Sequence, residues 1–387
     1  MLPIKQLLQD LPSPEPDALA HSERSRAHLR EIITEAGGAI GFDRYMQQAL
    51  YAPGLGYYSA GARKFGAAGD FVTAPELSPL FSICVARQSQ PLLSALGGGD
   101  MLELGAGSGV MAADILAELE RLQSLPSRYL ILEVSADLRE RQRATLQLRT
   151  PQLLDRVQWL ERLPEVFNGV IVANEVLDAL PVQRFRREPV GWSEATVTLQ
   201  DGEFVLQWRE AQAELRDALQ SLEQDLPEPM VPGYSSEICL QLPAFIAGLA
   251  ETLQRGAVLL FDYGYPRAGY YHADRSMGTL MCHYRQRAHD NPFLYPGLQD
   301  ITAHVDFTAV AEAGVTNGLE LAGYTTQAHF LLALGIAALA GDMESARQVK
   351  LLTLPDEMGE RFKAIGFTKG LDELLAGFSL RDLSRTL

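Results

Sequence analysis

Glu103, Gly105, Gly107 and Gly109 stand in the stretch Met101-Leu102-Glu103-Leu104-Gly105-Ala106-Gly107-Ser108-Gly109, between a short apolar run and an amphipathic run from Val110 to Leu122. Glycines at alternate positions between a strand pattern and a helix pattern outline a tight turn, and the helix after it aims its first amide groups at whatever lies over the loop. Such loops also arise for steric reasons alone, so the neighbouring residues must decide what this one cradles. A dinucleotide fingerprint wants its third glycine where this chain has Val110, and Glu133 ends the next strand pattern, Tyr129 to Glu133, where a carboxylate can accept both hydroxyls of a ribose. A loop without a wide pyrophosphate cradle but with a ribose-reading acid suits an adenosine joined to an amino acid, which is S-adenosylmethionine. A dinucleotide site and a purely structural turn are the alternatives.

A second constellation is Asn174-Glu175-Val176-Leu177-Asp178-Ala179-Leu180-Pro181, after the continuous apolar run Gly169 to Asn174. In a doubly wound sheet the ligand lies beyond the carboxyl ends of the strands, so Asn174, Glu175 and Asp178 are expected to point into the reaction zone. Glu175 and Asp178, three apart, share a face if a helical turn begins there. Two carboxylates can grip and orient a cationic nucleophile such as a guanidinium, and Asp262, ending the strand pattern Ala257 to Asp262, could join them. The alternative is a helix N-terminal charge at Glu175 or Asp178. His289 could instead accept a proton from another nucleophile. In the loop from Gly69 to Ser78, Asp70 and Glu76 either contact the cofactor or clamp the loop. The aromatics Tyr57-Tyr58 and Tyr263 to Tyr265 are either packing or a docking wall for a peptide.

These residues need elements to hold them. Strand patterns at Met101–Leu104, Tyr129–Glu133, Val157–Leu160, Gly169–Asn174 and Ala257–Asp262 alternate with helical ones at 136–148 and 243–254, which argues a doubly wound α/β sheet. Helical patterns at 22–36, 41–50 and 79–96 precede it. Period-two segments at 182–185, 192–199 and 204–208, with Asp201-Gly202 between the last two, predict an antiparallel flap inserted after the fourth strand, followed by a helix at 211–222. Past Asp262 the chain reads as irregular and aromatic, then as a helix at 307–313, a strand at 319–322 and C-terminal helices. The expected organisation is residues 1–98 as an N-terminal helical segment, 99–181 and 255–387 as the core, and 182–254 as a substrate-facing insertion.

The chain has 387 residues and a formal charge of −16, with 33 Lys+Arg against 49 Asp+Glu. That balance repels phosphate backbones and argues against nucleic acid as the main partner. Cys84, Cys239 and Cys282 form no disulfide framework, and the clustered His272, His283, His289 and His304 match no metal-site spacing, so no metal is expected. No apolar run is long enough to span a bilayer. The acidic, proline-containing first twenty residues have the order of neither a signal nor a transit peptide, so a cytoplasmic location is expected. The sequence leaves the oligomeric state, including a homo-oligomer, open.

Several phrases occur in a fixed order from about residue 40 to 365: Tyr51-x-Pro-x-x-Gly-Tyr-Tyr, Gly69-Asp70-Phe71-x-Thr-x-Pro75-Glu76-x-Ser78, Glu103-x-Gly-x-Gly-x-Gly109, Asn174-Glu175-x-x-Asp178-Ala-Leu-Pro181 and Asp262-Tyr263-Gly264. Gly278-Thr279-Leu280 with His289, the Pro296 to Phe307 phrase and Met358-Gly359-x-Arg361-Phe362 follow. Together they resemble the MidA-like family of S-adenosylmethionine-dependent methyltransferases, whose mitochondrial members are complex I assembly factors that methylate an arginine of a complex I subunit. The resemblance implies a class I (Rossmann-like) methyltransferase fold with the N-terminal segment and the insertion covering the site. It also implies cofactor contacts at Gly105, Gly107 and Glu133, and a protein substrate. A non-catalytic assembly or chaperone factor that keeps the pocket, a small-molecule methyltransferase and a nicotinamide-dependent oxidoreductase are the competing functions.

Overall fold

Short runs that are apolar on both faces become parallel strands, because only a sheet covered by helices on both sides can bury them. In the computed structural model, which describes residues 11–59 and 73–387, these are β1 (Asp100–Leu104), β2 (Tyr129–Leu132), β3 (Val157–Leu160), β4 (Phe167–Asn174) and β5 (Leu253–Tyr265). With β6 (Glu320–Thr326) and β7 (Phe362–Lys369) they form one sheet in the order β3-β2-β1-β4-β5-β7-β6. The strands from β3 to β5 are mutually parallel, while β7 runs antiparallel to both β5 and β6. The order reverses between β1 and β4, whose carboxyl ends carry the glycine loop and Asn174. A doubly wound sheet opens its ligand crevice at such a switch point.

Helices α1 (Pro79–Ala95), α2 (Val110–Arg121), α3 (Ala136–Arg149), α4 (Leu242–Thr252) and α5 (Phe307–Thr316) belong to the same unit. Phe81, Val85, Ile115, Leu116 and Leu119 of α1 and α2 pack in one core with Met101, Ile131, Val170, Val172, Leu259 and Phe261 from alternate positions of the strands. The pair α4 and α5 pack on each other.

The chain divides into two units, Met1–Phe71 with Ala179–Gln241 and Arg267–His304, and Val72–Asp178 with Leu242–Pro266 and Val305–Leu387. The second is the sheet unit just described. In the first, Trp192–Gln200 pairs antiparallel with Glu203–Glu210, Gln183–Arg187 and Ala39–Gly41, and Gln183–Arg187 also pairs with Ser235–Ile238. The expected hairpin turns at Asp201 and Gly202, both with positive φ (51° and 80°), as a two-residue turn matched to strand twist requires. Helices Pro16–Glu35 and Phe42–Tyr51 place Leu29, Ile33, Phe42, Tyr45, Met46 and Leu50 in a core with Val182, Val197 and Phe204. In the aromatic loop 51–58 Tyr57 is buried and the Tyr58 hydroxyl donates to Asp300 Oδ2 at 2.8 Å, while Tyr51 is exposed.

Three details differ from the sequence expectation. The chain after Asp262 is regular, since β5 continues through Tyr265 and Met281–Tyr284 pairs with Arg287–His289 and Asp300–Thr302. The C-terminal part is not helical throughout, because β7 fills the slot between β5 and β6. Its two lysines disguise it. Lys363 reaches carbonyls of Glu360 and Arg361, and Lys369 donates to Ala250 O at 2.7 Å. Finally, α1 and α4 group with the sheet and 267–304 with the antiparallel unit, rather than dividing at residues 98, 181 and 254. The amphipathic helices follow the sheet face they cover. Among the described residues, no helix is long and apolar enough to cross a membrane.

Candidate active site

The site is assembled within the sheet unit by four strand ends. After β1 the backbone turns at Gly105 with φ of 64° and enters α2 from Gly109 with φ of 83°. A Cβ on Gly105 would stand 2.9 Å from Val176 Cγ2, so the loop after β1 and the loop after β4 touch there and leave no room for a side chain. A Cβ on Gly109 would stand 2.9 Å from the Cα of Gln142, which shows how closely α3 lies against the glycine loop. The hydroxyl of the buried Ser108 donates to Glu76 Oε1, so Glu76 holds the loop by its side chain. Asp70 lies outside the described residues.

Glu133 stands just past β2 and is almost fully buried. Its Oε1 accepts from Ser135 N at 2.9 Å and its Oε2 from Gln142 Nε2 at 3.1 Å. Burial raises its pKa, and the donors from Ser135 and Gln142 oppose that shift. Each carboxylate oxygen has two acceptor sites. The amides of Ser135 and Val134 and the side chain of Gln142 hold the carboxylate in place without supplying a charged partner of their own.

Glu103 behaves differently. It is buried in β1 and accepts a hydrogen bond from the Tyr129 hydroxyl at 2.7 Å, and burial pushes its pKa up to about 7 against that bond. It ties β1 to β2 from inside the sheet. The folded protein therefore takes up a proton at Glu103 that the unfolded chain has already released above pH 4.5. The stability contributed by the protonated form is complete below pH 4.5 and is lost as pH rises through about 7, to a total of about 3 kcal/mol. Glu103→Gln removes that dependence. In urea titrations at pH 5 and pH 8 the variant is expected to gain about 2–3 kcal/mol on the wild type between the two values; parallel pH profiles would refute this reading of Glu103.

At the carboxyl end of β4, Glu175 has φ of +53°, in the left-handed region that costs a non-glycine residue about 1 kcal/mol. Its amide donates to Phe261 O at 2.9 Å, and its carboxylate accepts from Asn174 Nδ2 at 2.9 Å. The next three amides all converge on one atom. Asp262 Oδ2 accepts from Val176 N at 3.2 Å, Leu177 N at 2.9 Å and Asp178 N at 3.2 Å, while its Oδ1 accepts from Tyr263 N at 2.9 Å. Asp262 is fully buried, so its geometry makes it the anchor of the 174–178 loop, in place of the acceptor-facing role expected from sequence. The following residue braces the same loop, because the Tyr263 hydroxyl donates to Asp178 Oδ2 at 2.5 Å. Burial, and then the charges of Asp178 and Glu175, push the Asp262 pKa well above the usual carboxylate range.

The sheet unit thus brings together Glu76, Glu103, Gly105, Gly107, Gly109, Glu133, Asn174, Glu175, Asp178 and Asp262. His289 belongs to the other unit, where its pKa is lowered by burial. Among the described residues, no group of three or more His, Cys, Asp and Glu side chains could hold a metal ion. Sequence reasoning missed Gln142, which touches both Glu133 and the glycine loop: its Nε2 also donates to Gly107 O at 3.1 Å.

Residues 84–325, more than half of the chain, match the profile of the S-adenosyl-L-methionine-dependent methyltransferase family. The chain belongs to that family. A crystal structure of a Burkholderia thailandensis protein with S-adenosyl-homocysteine bound matches this methyltransferase with a TM-score of 0.93 and 48% identity, covering 98% of this chain and 100% of that one. A native structure from the same organism matches with a TM-score of 0.89 and 46% identity, at the same coverage. Among curated relatives, the Drosophila melanogaster "protein arginine methyltransferase NDUFAF7 homolog, mitochondrial" is 28% identical, covering 93% of this chain and 89% of that protein. The Danio rerio protein arginine methyltransferase NDUFAF7, mitochondrial, is 29% identical, covering 87% and 85%.

The fold of the sheet unit is that of a class I methyltransferase, and the cofactor of this methyltransferase is S-adenosyl-L-methionine. Its residues fit that group. Glu133 presents a buried, hydrogen-bonded carboxylate just past β2, and Gly105, Gly107 and Gly109 put no side chain of their own into the turn beside it.

Proposed function

We propose that this methyltransferase methylates the guanidinium of an arginine in a protein, with Glu133 and the Gly105–Gly109 loop holding the cofactor and Glu175 and Asp178 orienting the acceptor. The observation that carries the reading is the acid pair after β4, fixed by Asp262 and Tyr263 beside the glycine loop. The names of the Drosophila melanogaster and Danio rerio relatives support the same acceptor.

S-adenosyl-L-methionine, when bound, supplies an electrophilic methyl group on a sulfonium. Carboxylates accept paired N–H bonds from a guanidinium in fork geometry, so Glu175 and Asp178 fix its plane and leave one nitrogen to attack. Positioning of this kind is the main source of rate in an in-line displacement. The attacking nitrogen gives up one proton as the N–C bond forms, and the carboxylates of Glu175 and Asp178 that hold the guanidinium are the groups placed to receive it.

The test is incubation of the purified chain with methyl-labelled S-adenosyl-L-methionine and a lysate of its source cells, followed by mass spectrometry. Methylarginine in a defined protein is expected, abolished when that arginine is replaced by lysine. Label confined to small metabolites would favour the small-molecule reading. Tight S-adenosyl-homocysteine binding with no transfer at all would favour a non-catalytic assembly factor.

A further inference from the structure

Helix α3 has the sequence of a surface helix, yet its buried residues are Leu138, Gln142 and Leu146. Gln142 is fully buried in the middle of that stripe and uses both ends of its amide. Nε2 donates to Glu133 Oε2 and to Gly107 O, each at 3.1 Å, while Oε1 accepts from Trp159 Nε1 at 2.9 Å. The indole nitrogen can only donate, so it fixes which end of the amide faces Glu133. The reversed amide would set its oxygen against two other acceptors and its nitrogen against the indole N–H. Trp159 is itself held, with the Arg143 guanidinium 4.8 Å over its ring.

We propose that Gln142 is a positioning residue for the cofactor, holding the Glu133 carboxylate and the glycine loop in one binding geometry, with Trp159 setting its orientation. The proposal rests on Glu133 as the ribose acceptor and is independent of the identity of the methyl acceptor. Gln142 does not itself contact the reacting atoms. It acts by occupying one lone pair of Glu133 Oε2, so that the carboxylate cannot rotate away from the hydroxyls, and by holding the Gly107 carbonyl so that the loop keeps its turn. Arrangements of this type keep a ligand-binding group pre-organised, and their loss appears as weaker binding.

S-adenosyl-homocysteine is the probe, with calorimetric affinity and tryptophan emission as readouts and no acceptor present. Gln142→Met fills the same volume without the hydrogen bonds. It is expected to weaken binding about 10- to 100-fold, the range for losing one hydrogen bond to a charged group. Trp159→Phe is expected to weaken it several-fold, about the loss for one neutral hydrogen bond, and to reduce the ligand-dependent change in tryptophan emission expected of the wild type. A double-mutant cycle separates positioning from a general packing defect. In a Glu133→Ala background, Gln142→Met is expected to cost less than about threefold further, because the carboxylate it positions is gone. Wild-type affinity in Gln142→Met, or a full additive loss in the double variant, overturns the proposal. Wild-type affinity in Glu133→Ala overturns the ribose placement and the proposal with it.

Discussion

Glu175→Gln is expected to lower the rate of methyl transfer to an arginine acceptor by about 10²- to 10³-fold, the loss typical of removing one preorganised electrostatic group, while S-adenosyl-homocysteine binds within about twofold of the wild type. The substitution changes charge and almost nothing else. Glutamine has the same backbone preferences as glutamate, so the left-handed φ of +53° costs the same in both. Its side-chain oxygen can still accept from Asn174 Nδ2, and its amide still reaches Phe261 O. What disappears is one anion that pairs with the guanidinium. Fold stability is expected to move the other way. Glu175 is one of two negative neighbours that push up the Asp262 pKa after burial has done so. Neutralising it relieves that repulsion, so the variant should melt at or above the wild-type temperature. A catalytic loss with a stability gain is the signature of a residue kept for chemistry at the expense of the fold. The pair of measurements is a kcat and KM determination on an arginine-containing peptide and a thermal melt. Wild-type kcat would remove Glu175 from the acceptor site, and a fall in both kcat and melting temperature would mark it as structural.

The parts of this site that could be read from sequence are those whose meaning is local. The glycine loop, the acid at the end of β2 and the run from Asn174 to Pro181 each sit on one strand–turn segment, so residue types and spacing already state where they stand in the sheet unit. The Asp201-Gly202 hairpin is legible for the same reason. What could not be read depends on contacts across the chain. Asp262 looks like a third acceptor-facing acid until its oxygens are seen to collect amides 84 to 86 residues away. Tyr263 looks like packing, and does pack edge-on against Phe362 at 5.5 Å, but its hydroxyl also fixes Asp178. Strand β7 is hidden by Lys363 and Lys369, charged residues near the two ends of an apolar run, whose amines reach backbone carbonyls. Gln142 did leave a signal. Leu138, Gln142 and Leu146 fall at i, i+4 and i+8, and a polar residue inside the single buried stripe of a charged helix needs a partner on the covered side.

Asp262→Ala is expected to destabilise the protein by about 2–4 kcal/mol at pH 7 and to abolish methyl transfer, because it leaves buried amides without an acceptor. Two effects oppose each other here. Alanine removes a fully buried carboxyl group crowded by Asp178 and Glu175, which is stabilising. It also strips the acceptor from Val176, Leu177, Asp178 and Tyr263, and each unsatisfied buried amide costs about 1–3 kcal/mol. Four such losses outweigh the relief of one charge, even if water enters and rescues half of them. Asp262→Asn separates the two effects. Its side-chain oxygen can keep the amides of 176–178, its NH₂ then meets only the Tyr263 amide, and the charge is gone, so it should stay within about 1 kcal/mol of the wild type. The pH dependence has a definite sign. A carboxylate whose folded pKa is raised contributes stability that is complete below its ordinary value of 3.8 and is lost as pH rises through the folded value, so Asp262→Asn should gain on the wild type as the solution is made more alkaline. Denaturant titrations of the three proteins at two pH values supply every number required. If alanine and asparagine are equally destabilising, the charge and not the acceptor holds the loop, and the fixed geometry of Glu175 and Asp178 would need another cause.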